Sequence, residues 1–256
     1  MLAIGGADGR VQIVDTTSGA VLATPTLTRP AAADGTDGGT PAEITALAVS
    51  ADGAYVAAAP RGPTVSVWTR EGAPVRTLEA HTPRPGRDGG LTTVTSLAFA
   101  DGASLVSTTN DFYNASEGDL RRWDVRTGAR EDLGAAGALA GLSVSPAGRF
   151  AVGRGASVEV RDLRTNAVLH TLDGHAGRVR ATTFAGPDVL ASVDDEAATV
   201  RLWNVVTGTP IATLAAGGER CSDAWLSVTG DAAVAAGSFL CAGGDVRLFW
   251  LGDDGR

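Results

Sequence analysis

The side chains of this 256-residue chain best suited to chemistry are three histidines, His81, His170 and His175, and two cysteines, Cys221 and Cys241. Imidazole and thiolate are the common zinc ligands and the common activators of a nucleophile. Only three imidazoles are present, which argues against a metal site built from them. Neither a GxSxG nor an HExxH motif occurs. The Gly-containing stretches ADGRVQ, SADGA and VTGDA fall at hairpin turns, not between a strand and a helix. Their glycines therefore serve turn geometry, not a phosphate. With no convergent set of titratable groups to name, the chain reads as a non-enzyme that needs no cofactor.

What must position these residues is a repeat. ITALAVSADG from Ile44, VTSLAFADG from Val94, LAGLSVSPAG from Leu139 and VRATTFAGPD from Val179 share apolar or small residues at alternate positions, closed by a tight turn. DAWLSVTGD from Asp223 is a weaker copy, and successive starts lie 50, 45, 40 and 44 residues apart. That spacing brackets the roughly 40–45-residue period of a four-stranded antiparallel unit. Hydrophobic residues make up 44 %, glycine accounts for 34 positions, and no segment keeps a helical period. The fold class is all-β, with almost no helix expected.

The formal net charge of −8 argues against a general nucleic-acid binder, because neutralising phosphates takes a dense basic surface. The N-terminus MLAIGGADGR has no basic region followed by a long apolar run, so no signal peptide or membrane span is read there. All 21 basic residues are arginine. With the abundance of Ala, Gly, Asp, Thr and Val, this points to a bacterium of GC-rich genome, actinobacterial in character.

Labelling the strands of each unit a to d from inside outward, residues 2–6, 10–15 and 21–27 read as b, c and d of a first unit without strand a. Residues 224–228, 232–236 and 245–250 read as a, b and c of a last unit without strand d. Six units then span about 2–27, 44–78, 94–133, 139–172, 179–214 and 223–250 of a single domain over 1–256. The simplest reading of the incomplete ends is a piece, or the C-terminal part, of a longer protein; an imperfectly closed six-unit ring is the alternative.

Trp123-Asp124 in DLRRWDVRTG, Trp203-Asn204 in TVRLWNVVTG, Trp68-Thr69 in TVSVWTREG and the dipeptide Gly174-His175 carry a family likeness. Val14-Asp15, Arg161-Asp162 and Phe249-Trp250 are weaker equivalents. By these residues the chain resembles the WD-repeat (WD40) β-propeller family over essentially its whole length. The resemblance implies a propeller of four-stranded antiparallel blades, six of them here, consistent with a seven-bladed or longer parent. It also implies a structural hydrogen-bonded network joining a His before strand a, a Ser or Thr on strand b, an Asp in the b–c turn and the Trp on strand c. By alignment these are His175, Ser192, Asp195 and Trp203 in one blade, and His81, Ser107, Asp111 and Trp123 in another. The turns DDEAA and NDFYNASEG each offer more than one carboxylate for the acidic place.

Cys221, just before strand a of the last unit, and Cys241, in its b–c connection, belong to loops on one face. A disulfide between them and a pair of free thiols are both open, and a bridge would imply an oxidising compartment. Otherwise the expected location is cytoplasmic. The a–b and c–d turns are all short, so the long connections 28–43, 79–93, 110–118 and 238–244 share the opposite face. One-sided insertions mark that face for binding. Arg84 and Arg87 in one loop and Asp111, Phe112, Tyr113 and Asn114 in another form the candidate contact set, Arg and aromatics being the types that dominate interfaces. The resemblance implies a scaffold or sensor propeller with protein partners, of the kind joined in bacteria to an NTPase, kinase or protease. The competing expectation is a propeller enzyme or small-ligand binder, hydrolase-like or quinoprotein-like, acting at the axial opening. It requires a polar cluster at the strand-a starts, where Ile44, Val94, Leu139 and Val179 are apolar and only Glu43, Arg180 and Asp223 carry charge.

Overall fold

Short runs of apolar residues closed by Asp, Asn and Gly turns leave the backbone one economical way to satisfy its hydrogen bonds, pairing each strand with the next. The computed structural model describes residues 1–28, 41–79, 92–111, 118–136, 141–196, 199–215, 224–228, 234–239 and 246–250. Among them every regular element is a strand and none is a helix. Six antiparallel sheets form from strands consecutive in sequence. The first holds β1 (Leu2–Gly5), β2 (Val11–Val14) and β3 (Val21–Ala23). The second holds β4 (Ile44–Val49), β5 (Tyr55–Pro60), β6 (Thr64–Thr69) and β7 (Pro74–Glu79). The third holds β8 (Thr92–Phe99), β9 (Ser104–Asp111), β10 (Gly118–Asp124) and β11 (Arg130–Ala136). The fourth holds β12 (Leu142–Ser145), β13 (Arg149–Arg154), β14 (Ser157–Asp162) and β15 (Val168–Asp173). The fifth holds β16 (Val179–Phe184), β17 (Val189–Asp194), β18 (Thr199–Asn204) and β19 (Thr209–Ala215), and the sixth β20 (Ala224–Val228), β21 (Val234–Phe239) and β22 (Val246–Trp250). The chain divides into two compact units, Met1–Ala135 and Ala136–Arg256.

In the first unit the core is made by sheets stacked face to face, and β5 shows why its sequence is YVAAAP. Every residue from Val56 to Pro60 is buried. Val56 and Ala58 pack with Val11, Ile13, Leu27 and Trp68 on one side. Ala57 and Ala59 pack with Val65, Leu78, Val94, Leu105 and Trp123 on the other. A strand covered on both faces reads as an unbroken apolar run, and alanine keeps it thin. By contrast β7, at the outer edge of the second sheet, buries only Leu78 and is otherwise wet or half-wet. In the second unit the fourth sheet meets the fifth through Ala151, Val158, Val160, Leu172, Val179, Leu190 and Trp203.

Backbone links fasten successive sheets at a repeated place. Ile44 and Val179, which open β4 and β16, and Val94, near the start of β8, each donate to a carbonyl in a turn of the preceding sheet: Ile44 N–H to Gly6 O at 3.3 Å, Val94 to Gly62 at 3.1 Å and Val179 to Gly155 at 2.8 Å. The residue after each sits in a bulge, between Ile44 and Ala46, Val94 and Ser96, and Val179 and Ala181. One extra residue there bends the inner strand and frees its side chain to bond beyond the ladder. Thr45 does so, its Oγ1 donating to Val94 O at 2.9 Å.

The Asp or Asn that follows the Trp position has a local task. Asp124 Oδ1 accepts the N–H of Arg126 at 2.9 Å and of Thr127 at 2.8 Å, closing the β10–β11 turn. Asp15 holds Thr17 and Ser18 in the same way, Asp162 holds Arg164 and Thr165, and Asn204 holds Val206 and Thr207. Each turn then ends on a left-handed residue, Gly128 at φ 78° or Asn166 at φ 59°, for instance. Asn and Asp are suited to this because the short side chain mimics a backbone turn.

Candidate functional site

A buried polar relay lies in the fifth sheet. Ser192 and Asp194 stand two apart on β17, so the strand period puts both on one face. Trp203 lies on the neighbouring β18, where it pairs with Leu190. His175 is carried in by the segment between β15 and β16, preceded by Gly174 at φ 140°. His175 Nδ1 is 2.9 Å from Asp194 Oδ2, His175 Nε2 is 2.6 Å from Ser192 Oγ, and Trp203 Nε1 donates to Ser192 Oγ at 2.8 Å.

One assignment of protons satisfies all of these contacts. The indole N–H donates to the serine oxygen, the serine hydroxyl donates to Nε2, and Nδ1–H donates to the carboxylate. The imidazole is then neutral. Burial holds its pKa below the ordinary histidine value; Asp194 opposes that shift and the nearby Arg201 charge reinforces it. Arg201 lies over the Trp203 ring, 5.9 Å from its centroid.

Hydroxyl to Nε2 and carboxylate to Nδ1 is the connectivity of a hydrolytic triad. Its setting is the opposite of an active site. Ser192 and Asp194 have no solvent exposure, and the serine oxygen already receives the indole N–H. A nucleophile must be reached by its substrate, and among the described residues Ser192 is fully covered. What the relay does is satisfy four buried polar groups together, fastening the strand entering the sheet to its second and third strands.

The sequence alignment placed Asp195 in this relay; the carboxylate is Asp194. Asp195 lies past the end of β17 and takes a different set of partners. Its Oδ2 accepts Arg180 Nε at 3.0 Å, and its Oδ1 accepts the Arg178 N–H at 2.8 Å. Counting by twos from Ser192 finds Asp194, whereas matching the turn by type does not. In the third sheet Trp123 Nε1 donates to Ser107 Oγ at 2.9 Å, while His81 lies outside the described residues. Asp111 ends β9, with its side chain outside the description. Arg84, Arg87, Phe112, Tyr113, Asn114, Cys221 and Cys241 also lie outside the described residues. His170, given no role from sequence, places Nε2 3.2 Å from Val206 O.

Among the described residues no group of three or more His, Cys, Asp or Glu is arranged to hold a metal ion, and no helix is long and apolar enough to cross a membrane. No protein-family model matches the chain, and no curated protein matches it.

Two pH windows follow from these groups. Unfolded His175 takes a proton near pH 6.5 and the folded imidazole resists it, so the stability it supplies is full above 6.5 and falls as pH drops toward the lowered folded value. The backbone N–H of Thr17, Thr127 and Thr165 hold the carboxyls of Asp15, Asp124 and Asp162 below the ordinary value of 3.8. Their contribution is full above that value and disappears as pH falls through the lowered ones. Melting curves from about pH 8 to 3 should decline in two stages, with an NMR titration of the His175 ring assigning the first. A ring that titrates at an ordinary histidine value rules out the neutral buried imidazole.

Proposed function

We propose that the chain is a WD-repeat β-propeller, or a piece of one, serving as a non-catalytic scaffold that binds protein partners. The observation that carries this reading is the sealed Ser192–His175–Asp194–Trp203 relay. The group with the connectivity of a catalyst spends its hydroxyl, both ring nitrogens, the indole N–H and a carboxylate oxygen on holding a sheet together. A repeated frame of that kind has its variation in its connections, and the long ones, 28–43, 79–93, 110–118 and 238–244, alternate in sequence with short hairpin turns. Binding through rigidly mounted loops suits Arg84, Arg87, Asp111, Phe112, Tyr113 and Asn114. The cytoplasm is the proposed location.

A photo-crosslinking residue at Phe112 or Tyr113 should capture a defined protein, with capture lost in Arg87→Ala and absent when the crosslinker replaces Thr165. Crosslinking at Thr165 and not at the loop positions would overturn the assigned face. Ester hydrolysis abolished by Ser192→Ala would overturn the non-catalytic reading.

A further inference from the structure

We propose that the free edge of β1 receives a β-strand donated by another polypeptide, one whose residues run small, Leu, small, then Val or Phe. β1 is an edge of the first sheet and pairs only with β2 among the described residues. That pairing also fixes which way its backbone points. Gly6 N–H donates to Arg10 O at 3.0 Å, and antiparallel pairs alternate between those that exchange hydrogen bonds and those that do not. Leu2 and Ile4 therefore bond toward β2, while Ala3 and Gly5 aim their N–H and C=O toward the free edge. The run Leu-Ala-Ile-Gly carries no Lys, Pro or inward charge, the devices that blunt an exposed edge.

The other sheets show what belongs there. Val14, the partner of Leu2, corresponds to Trp68, Trp123, Arg161 and Trp203, so their partners Val56, Leu105, Phe150 and Leu190 match Leu2. From each of these, four consecutive residues are buried: 56–59, 105–108, 150–153 and 190–193. In β1, Leu2 and Ile4 are each 49 % exposed, Ala3 is half-buried and Gly5 is exposed. What the four buried strands have and β1 lacks is an inner strand, and the inner strands follow one rule. Opposite the Leu2 position stand Val49, Phe99, Val144 and Phe184. Opposite the Ile4 position stand Leu47, Leu97 and Leu142, with Thr182 in the fifth sheet. The Ala3 position meets Ala48, Ala98, Ser143 and Thr183, and the Gly5 position meets Ala46, Ser96 and Ala181.

The molecule thus carries four copies of the complement that β1 is missing. Main-chain bonds to Ala3 and Gly5 supply affinity. The donated Leu and Val lie beside Ile4 and Leu2, on the face that continues through Val14 to Val21, and supply specificity. A second copy of this chain is a poorer occupant, because no register of two antiparallel β1 strands meets all four places. Joining Ala3 to Gly5 sets Gly6 against Leu2, joining Ala3 to Ala3 sets Met1 against Gly5, and joining Gly5 to Gly5 sets Gly6 against Ile4. Strand addition uses backbone that the loop contacts do not, so it goes beyond the loop-face reading and stands or falls separately.

Fluorescence anisotropy of the full chain with a labelled peptide of the β4 sequence, ITALAVSADG, tests it. A second peptide, N-methylated at the two alanines of its ALAV run, lacks the donors that face Gly5 and Ala3. The first should bind and the second should not. Amide exchange at Ala3 and Gly5 should be fast in the free chain and slow in the complex. Ala3→Pro removes one outward donor and no bond to β2, and should weaken binding by about tenfold or more. If that variant melts lower than wild type, Ile4→Asp, which sets a charge beside the peptide leucine, is read in its place. Val168→Asp, at an exposed apolar position of β15, should leave binding unchanged. No binding, equal binding of the methylated peptide, or equal binding by the edge variant overturns the proposal. So does protection of Ala3 and Gly5 in the free chain, which means the edge is already filled, or a sedimenting dimer that Ala3→Pro dissolves, which makes a second copy the occupant. Loop crosslinking that persists beside any of these leaves the scaffold reading standing.

Discussion

Replacing Ser192 by alanine should cost about 3 kcal/mol of unfolding free energy, among the largest effects available to a change of one oxygen atom. The hydroxyl serves two partners that cannot reach water. Without it the Trp203 indole N–H loses its acceptor and His175 Nε2 loses its donor, and each orphaned buried group costs about 1–3 kcal/mol. Ser107→Ala removes the acceptor of the Trp123 indole alone within the described residues, so about half the loss is expected there. Asp194→Ala should resemble Ser192→Ala, because it leaves the His175 Nδ1–H unpaired at full burial. Asp195→Ala breaks a partly exposed pairing with Arg180, worth about 1 kcal/mol or less. Urea unfolding gives the energies, and hydrogen exchange in β17 and β18 locates them. If Asp195→Ala proves costlier than Asp194→Ala, the relay does not end on Asp194.

Much of this arrangement could be read before any coordinates, for a physical reason. A strand's side chains alternate, so the apolar positions of VRLWN and the small ones of ITALAV announce strands and their buried faces directly. Ser192, His175 and Trp203 were visible because a buried polar residue in an apolar strand demands a partner, and the family pattern supplied candidates. Asp194 was missed because the turn DDEAA offers adjacent carboxylates that differ only in which side of the strand end they occupy. Type and spacing suggest an acid; only register chooses between neighbours. The alanine run of β5 hides its alternation altogether, since both faces are covered and both demand small apolar residues.

Glycine usage makes the same point about register, and yields the second large effect. The third position of the inner-strand repeat is small in each strong copy: Ala46, Ser96, Gly141 and Ala181. Three of these carry a Cβ, so Gly141 looks replaceable by alanine. The local packing says otherwise. A Cβ on Gly141 would stand 2.5 Å from Ala181 Cα and 2.5 Å from Thr182 N, backbone atoms of the bulged β16 that cannot swing aside. The neighbouring contacts would be strained with it, since Ser143 Oγ meets Thr182 Oγ1 at 3.1 Å and Gly141 O accepts the Gly153 N–H at 3.1 Å. Overpacking of this kind costs about 1–3 kcal/mol, and more where the clash is with main chain, so Gly141→Ala should lose about 3 kcal/mol or more. Gly148→Ala is the informative contrast. Its site has open space around the missing Cβ but a φ of 75°, so only the left-handed penalty of about 1–2 kcal/mol applies. One glycine is required by the approach of a neighbouring strand and the other by its own backbone angle. Hydrogen exchange should accordingly rise in β12 and β16 together for Gly141→Ala, and stay local to the β12–β13 hairpin for Gly148→Ala. A silent Gly141→Ala would mean that β12 and β16 do not approach as closely as 2.5 Å requires.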